Sequence, residues 1–108
     1  MAVNFTEITA LGTTLIKSGP GSFHGFFVSS AGTSQTISVW DNNDKATTSV
    51  ITGTVGNPRA IFGTTALAVP AAGTNVTFAP DGVGFTNGLI VILSGATTGV
   101  ADLTVFWR

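Results

Sequence analysis

The sequence predicts an all-β fold: a single-domain antiparallel β-sandwich of about eight strands, with a jelly roll as one candidate topology. Apolar and polar residues alternate with period two along much of the chain, and no stretch has the period of an amphipathic helix. Turn-forming clusters such as SAGT (30–33) and GATTG (95–99) separate the alternating runs at short intervals. Short strands with frequent turns are typical of two packed sheets.

Eight segments have the alternation and the β-branched or aromatic content of strands. They cover residues 13–18, 22–30, 35–41, 47–54, 59–69, 75–79, 88–94 and 100–108. Both faces of the segment at 88–94 are apolar, which predicts a central strand covered on each side. In the last segment, Leu103, Val105 and Trp107 share one face. Phe106 is therefore predicted to point outward, as an incidental surface residue or as a contact for a second subunit.

A length of 108 residues predicts one domain with one core. Residues 1–12 have weak strand patterning, so we expect an N-terminal arm at 1–12 and a β-sandwich domain at 13–108. Four apolar residues of the arm are candidate partner-binding residues, and Phe106 is a fifth. The four are Val3, Phe5, Ile8 and Leu11.

Charged residues are 8% of the chain, against roughly a quarter in average soluble domains. A surface with so little charge suggests coverage by partners, and we expect a homo-oligomer, in particular a trimer. The four basic residues are scattered and the net charge is −1, which argues against nucleic acid as a partner. The sequence has no apolar run long enough to cross a membrane and no signal-peptide pattern, so we expect synthesis in the cytoplasm.

His24, the chain's one histidine, lies in the stretch KSGPGSFHGFF (17–27). SGPG predicts a turn, and strict alternation after it places Phe23 and Phe27 on one face and His24 with Phe26 on the other. As a catalytic base, His24 would need a nucleophile and an orienting acid, and no GxSxG nucleophile motif occurs. We interpret His24 as a structural or interface histidine that is hydrogen-bonded to a neighbour. The chain is predicted not to be an enzyme, with no catalytic residues.

Asp41 and Asp44 lie close together in WDNNDK, a composition that favours a solvated turn after a strand. The same stretch fails as a calcium loop. Counted from Asp41, Lys45 occupies the fifth position, and Thr52 stands at the twelfth, where glutamate is required. One histidine and no cysteine leave no ligand set for a transition metal, and the glycines around Pro20 do not form a dinucleotide fingerprint. We therefore predict no metal and no cofactor.

Three segments carry a resemblance to a known class of proteins. They are LIKSGPGSFHGFFV, TISVWDN and FTNGLIVILSGATTGVADLTVFW. This order resembles a recurrent pattern in small virion proteins of tailed bacteriophages, most of all the capsid decoration, or cement, proteins. The resemblance spans roughly residues 13 to 107 and rests on strand and turn motifs, among them Asp41 and Asn87-Gly88-Leu89. It assigns no binding role to any residue.

The resemblance implies a β-sandwich of the virion that binds the exterior of the capsid, has the major capsid protein as its partner and catalyses nothing. An alternative function is a carbohydrate- or receptor-binding sandwich of a phage tail fibre or tail assembly. A small hydrolase is the third hypothesis. Trp40 discriminates between the two binding functions, because a sugar site needs an exposed aromatic beside polar groups such as Asp41 and Asn43, whereas a buried Trp40 cannot serve.

Overall fold

The computed structural model describes residues 3–41, 59–78 and 81–108, and gives the backbone alone for residues 59–66. These residues form nine strands and no helix. The strands are β1 (Asn4–Ile8), β2 (Gly12–Ser18), β3 (Gly21–Ser30), β4 (Gln35–Asp41), β5 (Arg59–Ala68), β6 (Asn75–Thr77), β7 (Val83–Phe85), β8 (Gly88–Gly95) and β9 (Asp102–Trp107). None of the described residues belongs to a helix that is long and apolar enough to cross a membrane.

The strands form two antiparallel sheets, which confirms the predicted β-sandwich. Sheet A has the order β1-β9-β3-β6, with β7 also paired to β3, and sheet B has the order β2-β8-β4-β5. β1 pairs with β9, β2 with β8, β3 with both β6 and β7, and β4 with β5, so that each pair encloses the next along the chain. This nesting is the strand order of a jelly roll, in which β6 and β7 together occupy one position beside β3.

Most of the predicted strands agree with the structure. The prediction for β4 matches at both ends, and those for β2, β3, β5 and β8 differ by one residue at one terminus. The predicted strand 75–79 ends two residues after β6, and the predicted strand 100–108 exceeds β9 by two residues at its start and one at its end. The predicted strand at 47–54 lies outside the described residues. Two strands were not predicted, β1 and the three-residue β7.

The expected N-terminal arm is wrong for residues 4–8. These residues form β1, which pairs in unbroken register with β9 from Asn4 opposite Trp107 to Ile8 opposite Leu103. Ile8 is 3% exposed in the core, and Thr6 accepts a hydrogen bond from Trp107 Nε1 at 2.9 Å. The sandwich therefore begins before residue 12, and the predicted boundary between arm and domain does not exist there.

The core lies between the sheets. It consists of inward side chains of both sheets, among them Phe23, Phe26, Val39 and Leu103. β8 is buried on both faces, as predicted: Leu89, Val91 and Leu93 belong to the core, while Ile90 and Ile92 pack with Trp40 in a second cluster. Because residues alternate across a strand, this second cluster lies on the outer face of sheet B.

β3 departs from strict alternation at His24. The register with β9 shifts between Phe23 and Gly25, so one extra residue enters the strand at this point. As a result Phe23 and Phe26 both face the core, whereas Phe27 is half-buried on the other face. The predicted faces of Phe26 and Phe27 were therefore wrong, because the bulge reverses the alternation after His24.

Candidate functional site

An open groove of about 310 Å³ lies on the outer face of sheet A. Its lining is aromatic and aliphatic, with three polar side chains and no charged one. The lining residues are Val3, Phe5, His24, Asn75, Thr77, Phe78 and Phe106. A concave surface of this size and character, mainly apolar with a few hydrogen-bonding groups, is the usual form of a binding site.

The strand register explains why a depression forms here. Phe5 lies opposite Phe106, Phe106 lies opposite Gly25, and Gly25 lies opposite Thr77, so these four positions form one row across sheet A. Gly25 adds no side chain to the middle of this row. Its φ of +123° and the close approach of the Val76 carbonyl oxygen exclude a Cβ atom at this position.

Two aromatic side chains form one side of the groove. The rings of Phe5 and Phe106 pack edge to face, with centroids 5.6 Å apart and an interplanar angle of 80°. Phe5 is nevertheless 70% exposed. A phenylalanine this exposed, beside a second aromatic ring, leaves apolar surface available for a partner.

His24 contributes an imidazole to the groove. Its Nε2 lies 2.9 Å from the hydroxyl oxygen of Ser22, which agrees with the predicted hydrogen bond to a neighbour. Within the described part of the chain no carboxylate hydrogen-bonds to this ring. The Ser22–His24 pair therefore lacks the third group that would orient a histidine base.

Two carboxyl groups lie close together on the same outer face, one from β1 and one from β9. The pKa of Glu7 is raised above its ordinary value by a hydrogen bond with Asp102, by repulsion from the Asp102 charge and by desolvation. This pair links the stability of the β1 edge of sheet A to pH.

The structure brings together three of the five predicted partner-binding residues. Val3, Phe5 and Phe106 line the groove, whereas Ile8 is buried in the core and Leu11 is half-buried against it. Asn75, Thr77 and Phe78 were not identified from the sequence. Gly25 was the available signal, since a glycine inside a strand often marks a bulge or a close approach of another chain.

Asp41 is not a solvated turn residue, in contrast to the prediction. It ends β4, is 1% exposed and accepts hydrogen bonds from three consecutive backbone N–H groups. The predicted turn after it, including Asp44 and Lys45, lies outside the described residues. Trp40 is 5% exposed in the second cluster, so it cannot stack on a sugar in this structure.

The described residues contain no group of three or more histidine, aspartate or glutamate side chains placed to hold a metal ion. Comparison with known proteins finds no matching family model, and no curated protein and no solved structure with significant similarity.

Proposed function

We propose that the chain is a structural protein of a bacteriophage virion that binds the outer surface of the capsid and stabilises it, as a decoration protein would. The partner is the major capsid protein, and the active form is a small symmetric oligomer, in particular a trimer. The proposal rests on the sequence resemblance together with the properties of the surface. The single observation that carries it is the uncharged aromatic groove on a jelly-roll sandwich.

The groove supports a protein partner for a physical reason. Protein interfaces are depleted of charge at their centre and enriched in aromatic residues, and the groove combines both properties around Phe5 and Phe106. The chain as a whole has few charged side chains that would lose their hydration in a contact with a neutral surface. The jelly roll fits this function and is also compatible with others, because one fold serves many functions.

Symmetry makes weak contacts sufficient for capsid binding. A single protomer contact near the small end of specific interfaces, on the order of 1,000 Å², holds firmly when several linked copies engage at once. A decoration protein therefore needs no single deep pocket. Its contribution to capsid stability comes from bridging neighbouring subunits at many equivalent positions.

Binding to empty capsids tests this proposal. Capsids of the source phage, assembled without this protein, are incubated with increasing amounts of it and pelleted. We expect saturation at a fixed number of copies per capsid and a higher temperature of capsid disassembly. Capsids that pellet with no bound protein at micromolar concentration would contradict the proposal.

We also propose that the chain is not an enzyme. The supporting observation is that His24 hydrogen-bonds to Ser22 of the same strand and, among the described residues, to no carboxylate that would orient it as a base. The test is a screen of ester, peptide and glycoside substrates with the protein and with His24→Ala. Turnover that disappears in a correctly folded His24→Ala variant would overturn this proposal.

A carbohydrate- or receptor-binding sandwich is the second candidate function. The observation in its favour is the position of Asn75 and Thr77 beside exposed Phe5, since sugar sites combine an aromatic face with hydrogen-bonding side chains. Calorimetric titration with surface glycans of the host decides this. Heat that saturates with a glycan in the native protein and is lost in Phe5→Ser would favour the second function over the first.

A further inference from the structure

We propose that Asn87 is a site of spontaneous deamidation and that the carboxylate of Asp41 keeps it unreactive in the folded protein. Asn87 is the one asparagine that precedes a glycine in the sequence. Glycine has no side chain to hinder the attack of its own backbone nitrogen on the preceding asparagine, so this pair is the most reactive context for a thermolabile residue. The reaction needs no partner and does not depend on the proposed function.

Deamidation is a reaction of the main chain with the asparagine side chain. The nitrogen of Gly88 loses its proton and forms a bond to Cγ of Asn87. The bond from Cγ to the side-chain nitrogen breaks, and ammonia leaves with the proton, so that a succinimide ring remains. Water then opens the ring at one of its two carbonyl carbons and leaves either aspartate or isoaspartate at position 87.

The Asn87 side chain is accessible, whereas the nitrogen that has to attack it is not. Asn87 is exposed and Gly88 is buried at the start of β8. The N–H of Gly88 donates to Asp41 Oδ1 at 3.3 Å, and the Asn87 carbonyl oxygen accepts from the N–H of Gly19 at 2.9 Å. Both polar atoms of the peptide unit between Asn87 and Gly88 are therefore hydrogen-bonded. The nitrogen has to give up its bond before it can attack.

Asp41 opposes the reaction in two ways. It also accepts from the N–H groups of Asn87 at 2.8 Å and Thr86 at 3.0 Å, so the whole turn has to open locally before the Gly88 nitrogen is free. Its negative charge disfavours loss of the Gly88 proton, because the deprotonated nitrogen is an anion beside an anion. A carboxylate is too weak a base to remove an amide proton itself.

Either product alters the start of β8. Aspartate places a second negative charge in the turn that Asp41 holds, and isoaspartate lengthens the main chain because its backbone runs through the former side chain. Gly88 lies opposite Ser18 in β2, and Leu89 lies opposite Asp41 in β4. A longer chain at this point disturbs the register with both neighbours. Protection of Asn87 therefore preserves the place of β8 in sheet B.

Incubation of the native protein and of Asp41→Ala at mildly alkaline pH tests the proposal, with peptide mapping by mass spectrometry as the readout. Asp41→Ala should convert Asn87 on the order of 10- to 100-fold faster, the factor by which loss of a buried acceptor favours the open turn. Asn75 is the control within each sample. It is exposed but precedes Val76, whose branched side chain hinders the attack, so it should remain intact.

Gln35→Glu is the matched control for loss of stability. Gln35 lies at the other end of β4, so its replacement destabilises the fold without touching the turn at Asn87. This variant should convert Asn87 much more slowly than Asp41→Ala. Equal rates in the two variants would show that the reaction proceeds through global unfolding, and would overturn the control by Asp41.

Hydrogen exchange of the native protein tests the protection without any substitution. The N–H of Gly88 should exchange far more slowly than an unbonded amide, and Asn87 should convert much faster in urea-unfolded protein than in the native one. A Gly88 N–H that exchanges like an unbonded amide would overturn the proposal, as would equal conversion of Asn87 in native and unfolded protein.

Discussion

The carboxylate of Asp41 accepts a hydrogen bond from the backbone N–H of Asn87 at 2.8 Å, across 46 residues of sequence. It also accepts from the N–H of Thr86 at 3.0 Å and of Gly88 at 3.3 Å. Asp41 thus fixes the turn that leads into β8, a strand that is buried on both faces. Both partners belong to the segments that carry the phage-protein resemblance, and the structure brings these segments into direct contact.

We predict that Asp41→Ala lowers the free energy of unfolding by about 3 kcal/mol, because it leaves two partly buried N–H groups and the buried N–H of Gly88 without this acceptor. Urea denaturation followed by tryptophan fluorescence measures this change. Asp81→Ala, at an exposed aspartate, is the control and should change stability by less than about 0.5 kcal/mol. Equal effects of the two substitutions would show that the Asp41 contacts do not stabilise the fold.

Gln35 joins two loops at one end of the sandwich, and its replacement gives the second prediction. Its amide nitrogen donates to the carbonyl oxygen of Ala96 at 2.6 Å, while its amide oxygen accepts from the N–H groups of Thr33 and Ala101 at 3.1 Å each. Gln35→Glu keeps the size but places a carboxylate oxygen against the Ala96 carbonyl. We expect a loss of about 3 kcal/mol in the free energy of unfolding.

Thermal denaturation checks the Gln35 prediction. Thr98→Ala is its control, because Gln35 contacts the backbone carbonyl of Thr98 and the exposed side chain can be removed without loss of that contact. A Gln35→Glu variant that melts at the native temperature would refute the assigned orientation of the amide.

The Glu7 carboxyl predicts a pH dependence. Its raised pKa means that the folded state binds the proton more tightly than the unfolded chain, so the stabilising contribution is complete below the ordinary pKa of about 4 and is lost as pH rises through the raised value. Glu7→Gln should remove this loss and melt at a slightly higher temperature than the native protein near neutral pH. The effect is small, because Glu7 is exposed to solvent and its charge is screened by salt.

Melting curves from about pH 4 to about pH 7 measure the effect. Asp102→Asn removes the other member of the pair and should change the pH profile in the same direction. If neither substitution changes the slope of melting temperature against pH in this range, the two carboxyls do not interact.

The attachment of β1 gives the fourth prediction. Thr6→Val removes the acceptor of Trp107 Nε1 and should lower the free energy of unfolding by about 1 kcal/mol, whereas Thr9→Val, at an exposed residue after the strand, should leave it almost unchanged.

Deletion of residues 2–8 should lower the melting temperature strongly, since it removes buried Ile8 and the whole pairing with β9. A truncated protein with native stability would show that β1 is dispensable.

The sequence was informative wherever a strand keeps its alternation. In β9 buried and partly exposed residues alternate, so the inward faces of Leu103 and Val105 and the outward face of Phe106 could be predicted. In β3 the bulge at His24 could not be located, because nothing local marks which residue is extra. Gly25 signals only that some irregularity or close approach exists.

The remaining errors concern contacts between residues far apart in the chain. β1 has weak patterning by itself, and it is fixed by Trp107, which lies 101 residues after Thr6. Similarly, Asp41 resembles a turn residue in its local sequence, and its buried position follows from the turn at 86–88. The groove combines residues from β1, β3, β6 and β9, so its composition depends on the sheet order, which local patterns do not determine.

In the proposed function, this sandwich binds the exterior of a phage capsid. Cryo-electron microscopy of capsids reconstituted with the purified protein is the sharpest test of this proposal, because one map gives location, partner and copy number. We expect density for the β-sandwich on the outer capsid surface, at symmetry-related positions and in contact with the major capsid protein. Density confined to the tail, or a capsid surface identical to that of particles prepared without the protein, would contradict it.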